Sequence, residues 1–378
     1  MPIYKMQGKK DGKQKYRVRI NYIDTYGNAR QTDKVAYGLD EAKALEMRLN
    51  AEIKQDSPVK KMTVKALFDE YIISKRGEVR ETTLDISTRN INNYIIPELG
   101  RYKLDRLTAP VLQKWKNNIN DGNYALQTKK KIYAEFRAML NYAVKLEYIP
   151  KNPLATVGNF KDNDFTKPAD KIRYYTAEQF KKYIGAAKEI AEKSEVLRDW
   201  NYYVFFCIAY YTGMRKGEIN ALKWSDVDGD IIHVRRSVAQ KIKGKKIVET
   251  PPKNKTSYRD LQIPTPLMNI LEAQKKRHQE YYGDTFTVEF RVCGGAECLS
   301  DTSIDNHNRK YAETAELPRI TVHEFRHSHA SLLANEGINI QEIARRLGHS
   351  KIEMTWNTYS HLYPREEERA ISILNKIV

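Results

Sequence analysis

The alternation of apolar and polar positions divides the chain into three stretches of different character. Between Lys15 and Tyr37, Tyr16, Val18, Ile20 and Tyr22 alternate with Arg17, Arg19 and Asn21, the period of two that a half-buried strand requires. Tyr26-Gly27-Asn28 is a turn signal, so the pattern predicts a hairpin or a short three-stranded sheet. Asp40 is placed to cap a following helix, with Ala44, Leu45, Leu49 and Ile53 on one side. Residues 1–56 thus read as a small β-β-β-α module. Gln55-Asp56-Ser57-Pro58 reads as the linker that closes it.

From residue 62 the apolar period becomes helical. Thr63 caps VKALFDEYIISK, where Leu67, Tyr71 and Ile72 form a stripe. Thr82 or Thr83 is expected to open a second helix, which breaks at Ile96-Pro97-Glu98-Leu99-Gly100. Pro110 lies in the first turn of a third, where its missing N–H costs nothing. Gln127 to Leu146 is the fourth, with Ile132, Phe136, Met139, Leu140 and Ala143 facing a core. This helical domain covers 62–160, and the polar stretch after it, to about residue 171, reads as a linker between domains.

Residues 172–378 form the third and largest domain. Thr176 caps a helix beginning AEQFKKYIGAAKEI, and 199–211 (DWNYYVFFCIAYY) are apolar on nearly every side, which predicts a buried helix ended by Gly213. Residues 230–263 become strand-like, with Lys243-Gly244-Lys245 as a hairpin tip and 258–263 as a later strand. From Pro264 the pattern is helical again, apart from an irregular Gly/Cys stretch at 290–300. Asn339-Ile340-Gln341-Glu342 has the spacing of a capping box. The expected fold class is α+β, mainly α: a β-β-β-α module, a helical domain, and a mostly helical domain with a small antiparallel sheet.

Charge narrows the function classes. The net charge is +17, and the excess recurs in every third of the chain rather than in one tail, as expected for a protein that touches a long polyanion at many points. Arg17 and Arg19 on the first sheet, and Lys129, Lys130 and Lys131 at the start of the fourth helix, are candidate phosphate contacts; a solvated basic face is the alternative. Mean hydropathy is −0.68, and no apolar run reaches the length of a membrane span. The opening residues lack the apolar stretch of a secretory signal, so a cytoplasmic protein is expected. Cys207, Cys293 and Cys298 are too few for a disulfide framework, and Cys293 and Cys298 lack the second ligand pair of a zinc site.

The candidate chemistry lies in the third domain. In TGMRKGEINALKWSDV, Arg215 follows a buried helix and opens the next, with Glu218 three residues on and able to brace it. In HEFRHSHASLLANEG, His323 and Arg326 share one helical face; an imidazole beside a guanidinium is costly without an anion between them, and a phosphodiester fits. His323, Glu324 and His327 match the HExxH spacing of zinc proteases, but a zinc protease would also need a third ligand, and such a site would leave the charge excess unexplained. His349 emerges after Gly348 in IQEIARRLGHS, and Tyr359 lies ten residues further on in TWNTYSHL.

Arg215, His323, Arg326, His349 and Tyr359, in this order and within these stretches, resemble the tyrosine recombinase (phage-integrase) family over most of 172–365. Residues 62–160 resemble the family's SAM-like core-binding domain more weakly, and residues 1–55 its arm-binding domain. The resemblance implies a DNA breaking and rejoining enzyme in which Tyr359 forms a 3′-phosphotyrosine. Arg215 and Arg326 would hold the phosphate, His323 and His349 would add hydrogen bonds and assist proton transfer, and Glu218 would support Arg215. It also implies a hairpin lysine that protonates the leaving oxygen. Lys255, directly before Thr256-Ser257 and the next strand, is favoured over Lys253, although a two-residue register shift puts either on the same face.

No metal or other cofactor is implied. The implied partners are double-stranded core and arm attachment sites, three further copies in a homotetramer on DNA, an excisionase and a host DNA-bending protein, with no membrane. The tail 364–378, with Ile371, Leu374 and Ile377 at helical spacing, would dock onto a neighbouring subunit, or onto its own domain. Integration and excision of a mobile element is the expected activity. A Xer-like resolvase, a type IB topoisomerase-like enzyme and an inactive DNA-binding regulator are the alternatives, and the basic N-terminal module favours the integrase.

Overall fold

The structure, a computed structural model, describes residues 3–23, 29–55, 62–161, 172–194, 196–239, 247–251, 255–363, 371 and 374–375. The chain forms two compact units, Met1–Lys167 and Pro168–Val378. The first contains two separate apolar clusters, one for each of the stretches that the sequence pattern separates.

In the N-terminal module, β1 (Ile3–Lys10), β2 (Lys13–Ile23) and β3 (Ala29–Tyr37) form an antiparallel sheet in that order. Alternation puts Val18 and Ile20 in a small core with Ala36 and with Ala42 and Leu49 of α1 (Leu39–Gln55). Arg17 and Arg19 take the alternate positions, and Arg19 spans to Asp33 with two hydrogen bonds of 2.9 and 3.0 Å. Asp40 is not the cap: α1 opens at Leu39, Asp40 and Glu41 lie in its first turn, and the Glu41 carboxylate accepts from the Tyr37 N–H at 3.2 Å. A carboxylate one turn in reaches the same orphan donors and meets the positive end of the helix. The turn signal at Tyr26-Gly27-Asn28 and most of the 55–58 linker lie outside the described residues.

The helical part contains α2 (Val64–Lys75), α3 (Glu81–Tyr94), α4 (Ala109–Asp121) and α5 (Leu126–Lys145), with short helical turns at Ile96–Leu99 and Leu154–Val157. Thr63 caps α2 through the Ala66 N–H. Neither Thr82 nor Thr83 caps α3; extended backbone at Arg80 starts it, and Glu81 supplies the negative charge in its first turn. Trp115 fixes α4 to α3 and α5, donating to the Tyr94 carbonyl at 2.8 Å and meeting Phe136 edge-on. Lys129 folds back onto the Asn120 carbonyl at 2.6 Å, so this basic residue helps satisfy the end of α4.

The second unit is built around a buried helix. It contains α6 (Ala177–Glu192), α7 (Leu197–Thr212), α8 (Lys216–Ala221), α9 (Thr265–Tyr282), α10 (Asp301–Thr314), α11 (Val322–Asn335), α12 (Ile340–Leu347) and α13 (Ile352–Tyr359). Every residue of α7 from Asn201 to Tyr210 is buried, and the helix packs against α6, α9 and α11. The Phe180 ring of α6 stacks on Tyr210 with centroids 3.6 Å apart. β4 (Val227–Asp228), β5 (Ile231–Val234) and β8 (Arg259–Gln262) form one antiparallel sheet, and β6 (Ser237–Ala239) pairs with β7 (Val248–Thr250). The hairpin tip expected at 243–245 lies outside the described residues. Asn339 caps α12 through the Gln341 N–H at 2.8 Å, not through a capping box, because Glu342 pairs with Arg345 on the next turn. The irregular 290–300 stretch is stitched to the core by bridges from Arg291 to Lys223 and Gly295.

Candidate active site

The site begins where α7 ends. Gly213 takes the left-handed conformation (φ +64°) that lets the chain leave α7 and start α8 three residues later. A Cβ at Gly213 would lie 2.8 Å from the His329 ring and 2.9 Å from Leu347, so α7, α11 and α12 meet at this glycine. Arg215 directly precedes α8. Its backbone N–H donates to Glu218 Oε2 at 3.0 Å and its Nη1 to Glu218 Oε1 at 2.9 Å.

Glu218 is 4 % exposed and holds a second guanidinium. Arg259, from β8, donates to Glu218 Oε2 at 2.9 Å, to the Arg346 carbonyl at 2.7 Å and to the Ser257 carbonyl at 3.2 Å. Burial pushes the Glu218 carboxyl up, but Arg259 and Arg215 outweigh it and hold the group below its ordinary value, as an anion. One carboxylate therefore joins the start of α8, strand β8 and, through Arg259, the end of α12.

Arg326, on the second turn of α11, is buried. Its Nη1 donates to the Gly213 carbonyl at 2.8 Å and its Nη2 to the Leu347 carbonyl at 2.6 Å. A guanidinium has five N–H donors in one plane, so two backbone bonds fix the plane and leave donors for an anion. Burial, then the charge of Arg215, lowers its proton affinity. His323 sits one turn earlier on the same face. Desolvation by surrounding atoms, then the charges of Arg326 and Arg215, keep its imidazole below the ordinary value.

His349 follows Gly348, whose left-handed conformation ends α12. Its Nδ1 is 2.8 Å from the hydroxyl of Thr355, a fully buried residue of α13, which fixes the ring. Burial, then the charges of Arg326 and Arg215, depress it to about 4. A Cβ on Gly348 would lie 3.2 Å from the Thr256 carbonyl and 3.1 Å from Arg259 Nη1, so the backbone turn Lys255–Ser257 runs beside His349. Lys253 lies outside the described residues.

Tyr359 ends α13, 2 % exposed, among Ala330, Ala334, Ile343 and Leu347. Its hydroxyl is 2.5 Å from His327 Nδ1. Burial raises the phenol to about 12, while the Arg326 charge acts to lower it. Beside Arg215 and His323 opens a cleft of ≈ 500 Å³, lined also by Lys216, Gly217 and Ser237. Its two carboxylates are already paired: Asp301 with Lys216 of the same cleft at 2.7 Å, and Asp305 with Arg319.

Arg215, Glu218, His323, Arg326, His349 and Tyr359 thus gather in the second unit, although the first and last are 144 positions apart. Arg17, Arg19, Lys129, Lys130 and Lys131 belong to the first unit. The HEFRH stretch resolves into separate jobs. Glu324 accepts from the Thr321 N–H and from Arg173, capping α11, while His327 turns to Tyr359. Sequence reasoning missed Arg259, Thr355 and the His327–Tyr359 pair. Only the helical spacing of His323 and His327 hints at the last, since it places both rings on the same side of α11.

Comparison with known proteins follows the same division. The "Phage integrase family" model matches residues 173–366, and the "Phage integrase, N-terminal SAM-like domain" model matches 63–120. The first covers just over half of the chain and includes every residue of the cluster. The chain belongs to the phage integrase family. It is a tyrosine recombinase of the integrase kind. The ICEBs1 integrase of Bacillus subtilis (strain 168) is 24% identical, with 97% of this chain and 98% of that protein aligned. The transposase from transposon Tn916 of Enterococcus faecalis is 25% identical over 93% of this chain and 89% of its own length. Among solved structures, the Tn1549 transposon integrase with transposon right-end DNA has the same fold, with a TM-score of 0.63, 21% identity, and 83% of this chain and 99% of that one covered. A lambda integrase tetramer on a Holliday junction aligns with a TM-score of 0.55 at 18% identity, over 93% of this integrase and 96% of that chain. Among the described residues, no helix is long and apolar enough to cross a membrane.

Proposed function

We propose that this recombinase integrates and excises a mobile element by breaking and rejoining DNA through Tyr359. The Tyr359 oxygen attacks the scissile phosphorus, the 3′-phosphate becomes a phosphotyrosine and a 5′-hydroxyl leaves. Attack by a 5′-hydroxyl of the partner strand reverses the chemistry. Bond energy is stored in the protein–DNA link, so nucleotide hydrolysis is not needed. Arg215 and Arg326 bind the non-bridging oxygens, whose charge grows in the transition state. His323 and His349 donate further hydrogen bonds, Glu218 orients Arg215, and Lys255 protonates the leaving oxygen.

One observation carries the assignment: the buried Arg326 guanidinium is pinned between the Gly213 and Leu347 carbonyls, with Arg215 and the Tyr359 phenol both near enough to influence it. A single phosphate placed there meets the cations and the phenol. The whole-length likeness to the ICEBs1 integrase, N-terminal module included, supports a mobile-element integrase over a simpler resolvase. On this reading the β1–β3 sheet, with Arg17 and Arg19, takes arm sites, and the helical part, with Lys129, Lys130 and Lys131, takes core sites. Four copies assemble on paired DNA in the cytoplasm, with the 364–378 tail docked on a neighbour and an excisionase and a host DNA-bending protein setting direction. That tail lies almost wholly outside the described residues.

The test is a nicked suicide duplex carrying the element's end, incubated with the purified protein. Wild-type protein should form a denaturation-resistant adduct that maps to Tyr359. Tyr359→Phe should bind the duplex with unchanged affinity and form none; an adduct with the Phe variant would reject the nucleophile.

A further inference from the structure

A phenol that attacks phosphorus must lose its proton, and among the described residues none of the groups assigned above is at hydrogen-bond distance from the Tyr359 hydroxyl. Arg215 and Arg326 are cations with nothing to accept it. His349 spends Nδ1 on Thr355, and His323 lies one helical turn before His327, with their rings edge-on at 5.0 Å. His327 Nδ1, by contrast, is 2.5 Å from the Tyr359 hydroxyl. Resting on the assignment of Tyr359 as nucleophile, we propose that His327 is a catalytic residue that takes the phenolic proton as Tyr359 attacks and returns it when the tyrosine leaves.

The proton balance is simple. Before attack, His327 is neutral with its proton on Nε2, and Nδ1 accepts the Tyr359 O–H. As the oxygen bonds to phosphorus, the O–H breaks and the proton moves to Nδ1, giving an imidazolium, while the P–O5′ bond breaks and the leaving oxygen is protonated separately. In rejoining, the imidazolium protonates the departing phenol oxygen. The groups that face His327 set its readiness: His323, Glu324 and Arg326 on its own helix, and Tyr359 across from it. Burial first, then His323 and Arg326, hold it at about 4, so it is unprotonated at neutral pH with Nδ1 free to accept the Tyr359 hydroxyl. A bound phosphodiester brings negative charge beside those cations, which raises the basicity of the imidazole just when it is needed.

The experiment follows single-turnover adduct formation on the suicide duplex for wild type, His327→Ala, His327→Gln and Tyr359→Phe, with duplex binding measured in parallel. His327→Gln keeps an acceptor for the Tyr359 hydroxyl but cannot take a proton, which guards against a folding defect. Both His327 variants should bind DNA and form adduct about 10²–10⁴-fold more slowly. Added imidazole should restore part of the rate to His327→Ala and none to His327→Gln. Adduct formation by the Gln variant at the wild-type rate or faster, or a slow Ala variant that binds DNA yet ignores imidazole at every pH, would overturn the role. Adduct formed by Tyr359→Phe would instead reject the nucleophile itself, so the two failures are distinct.

Discussion

At the scale of single residues, the site is held by polar groups that are individually costly and jointly satisfied. Glu218 and Arg259 are each 4 % exposed at the side chain. Neither charge is tolerable alone in such surroundings, and removing one partner of a buried pair leaves the other uncompensated. Glu218→Ala should lower stability by about 3–5 kcal/mol in urea denaturation, the usual range for breaking a buried pair. A loss below about 1 kcal/mol, the value of an exposed pair, would show that water reaches Arg259. The sequence displays Glu218 three residues from Arg215, but Arg259 is 41 positions away and becomes visible only when β8 is laid against α8 and α12.

At the scale of elements, the apolar period gives the helices and strands, while local competition between caps moves their ends. α7, α5 and β2 stand where the pattern puts them because long, strongly periodic segments are decided by burial. Asp40, Thr82, Thr83 and the Asn339–Glu342 spacing mislead because another carboxylate, extended backbone or an ion pair was available within a turn. Gly213 matters more than any of these caps. An alanine there must adopt a left-handed conformation, which costs about 1–2 kcal/mol, and its Cβ collides with His329 and Leu347. Gly213→Ala should therefore lower Tm. It should also slow adduct formation, since the Gly213 carbonyl holds Arg326. Unchanged cleavage in a destabilised variant would separate the turn from the site.

At the scale of the whole molecule, charge governs both stability and binding. His278, His327 and His349 are held at about 4 and His329 at about 3, against an ordinary 6.5, mainly by burial. Their folded values are depressed, so the unfolded chain binds protons first. Stability is thus complete above pH 6.5 and is lost as the pH falls toward 4. Melting curves of the DNA-free protein should show Tm dropping steadily over that window; a flat Tm down to pH 4.5 would mean that the imidazoles are hydrated. The +17 charge makes binding electrostatic. If about six to ten phosphates are neutralised, affinity for a core-site duplex should fall about 10³–10⁵-fold between 50 and 200 mM salt. A weak salt dependence would contradict the many-contact reading of the charge.

The sequence alone determined the order of the α and β segments, the polyanionic partner and the family, because periodicity, net charge and short motifs are local or additive properties of the chain. Tertiary structure decided how the pieces work together. It set Arg326 between two carbonyls from helix ends far apart in sequence, gave Arg19 and Lys129 partners within the chain, gave Glu218 a second cation and turned His327 to Tyr359. These contacts join residues tens of positions apart, or depend on the rotation of one helix against another, and no local pattern carries that information.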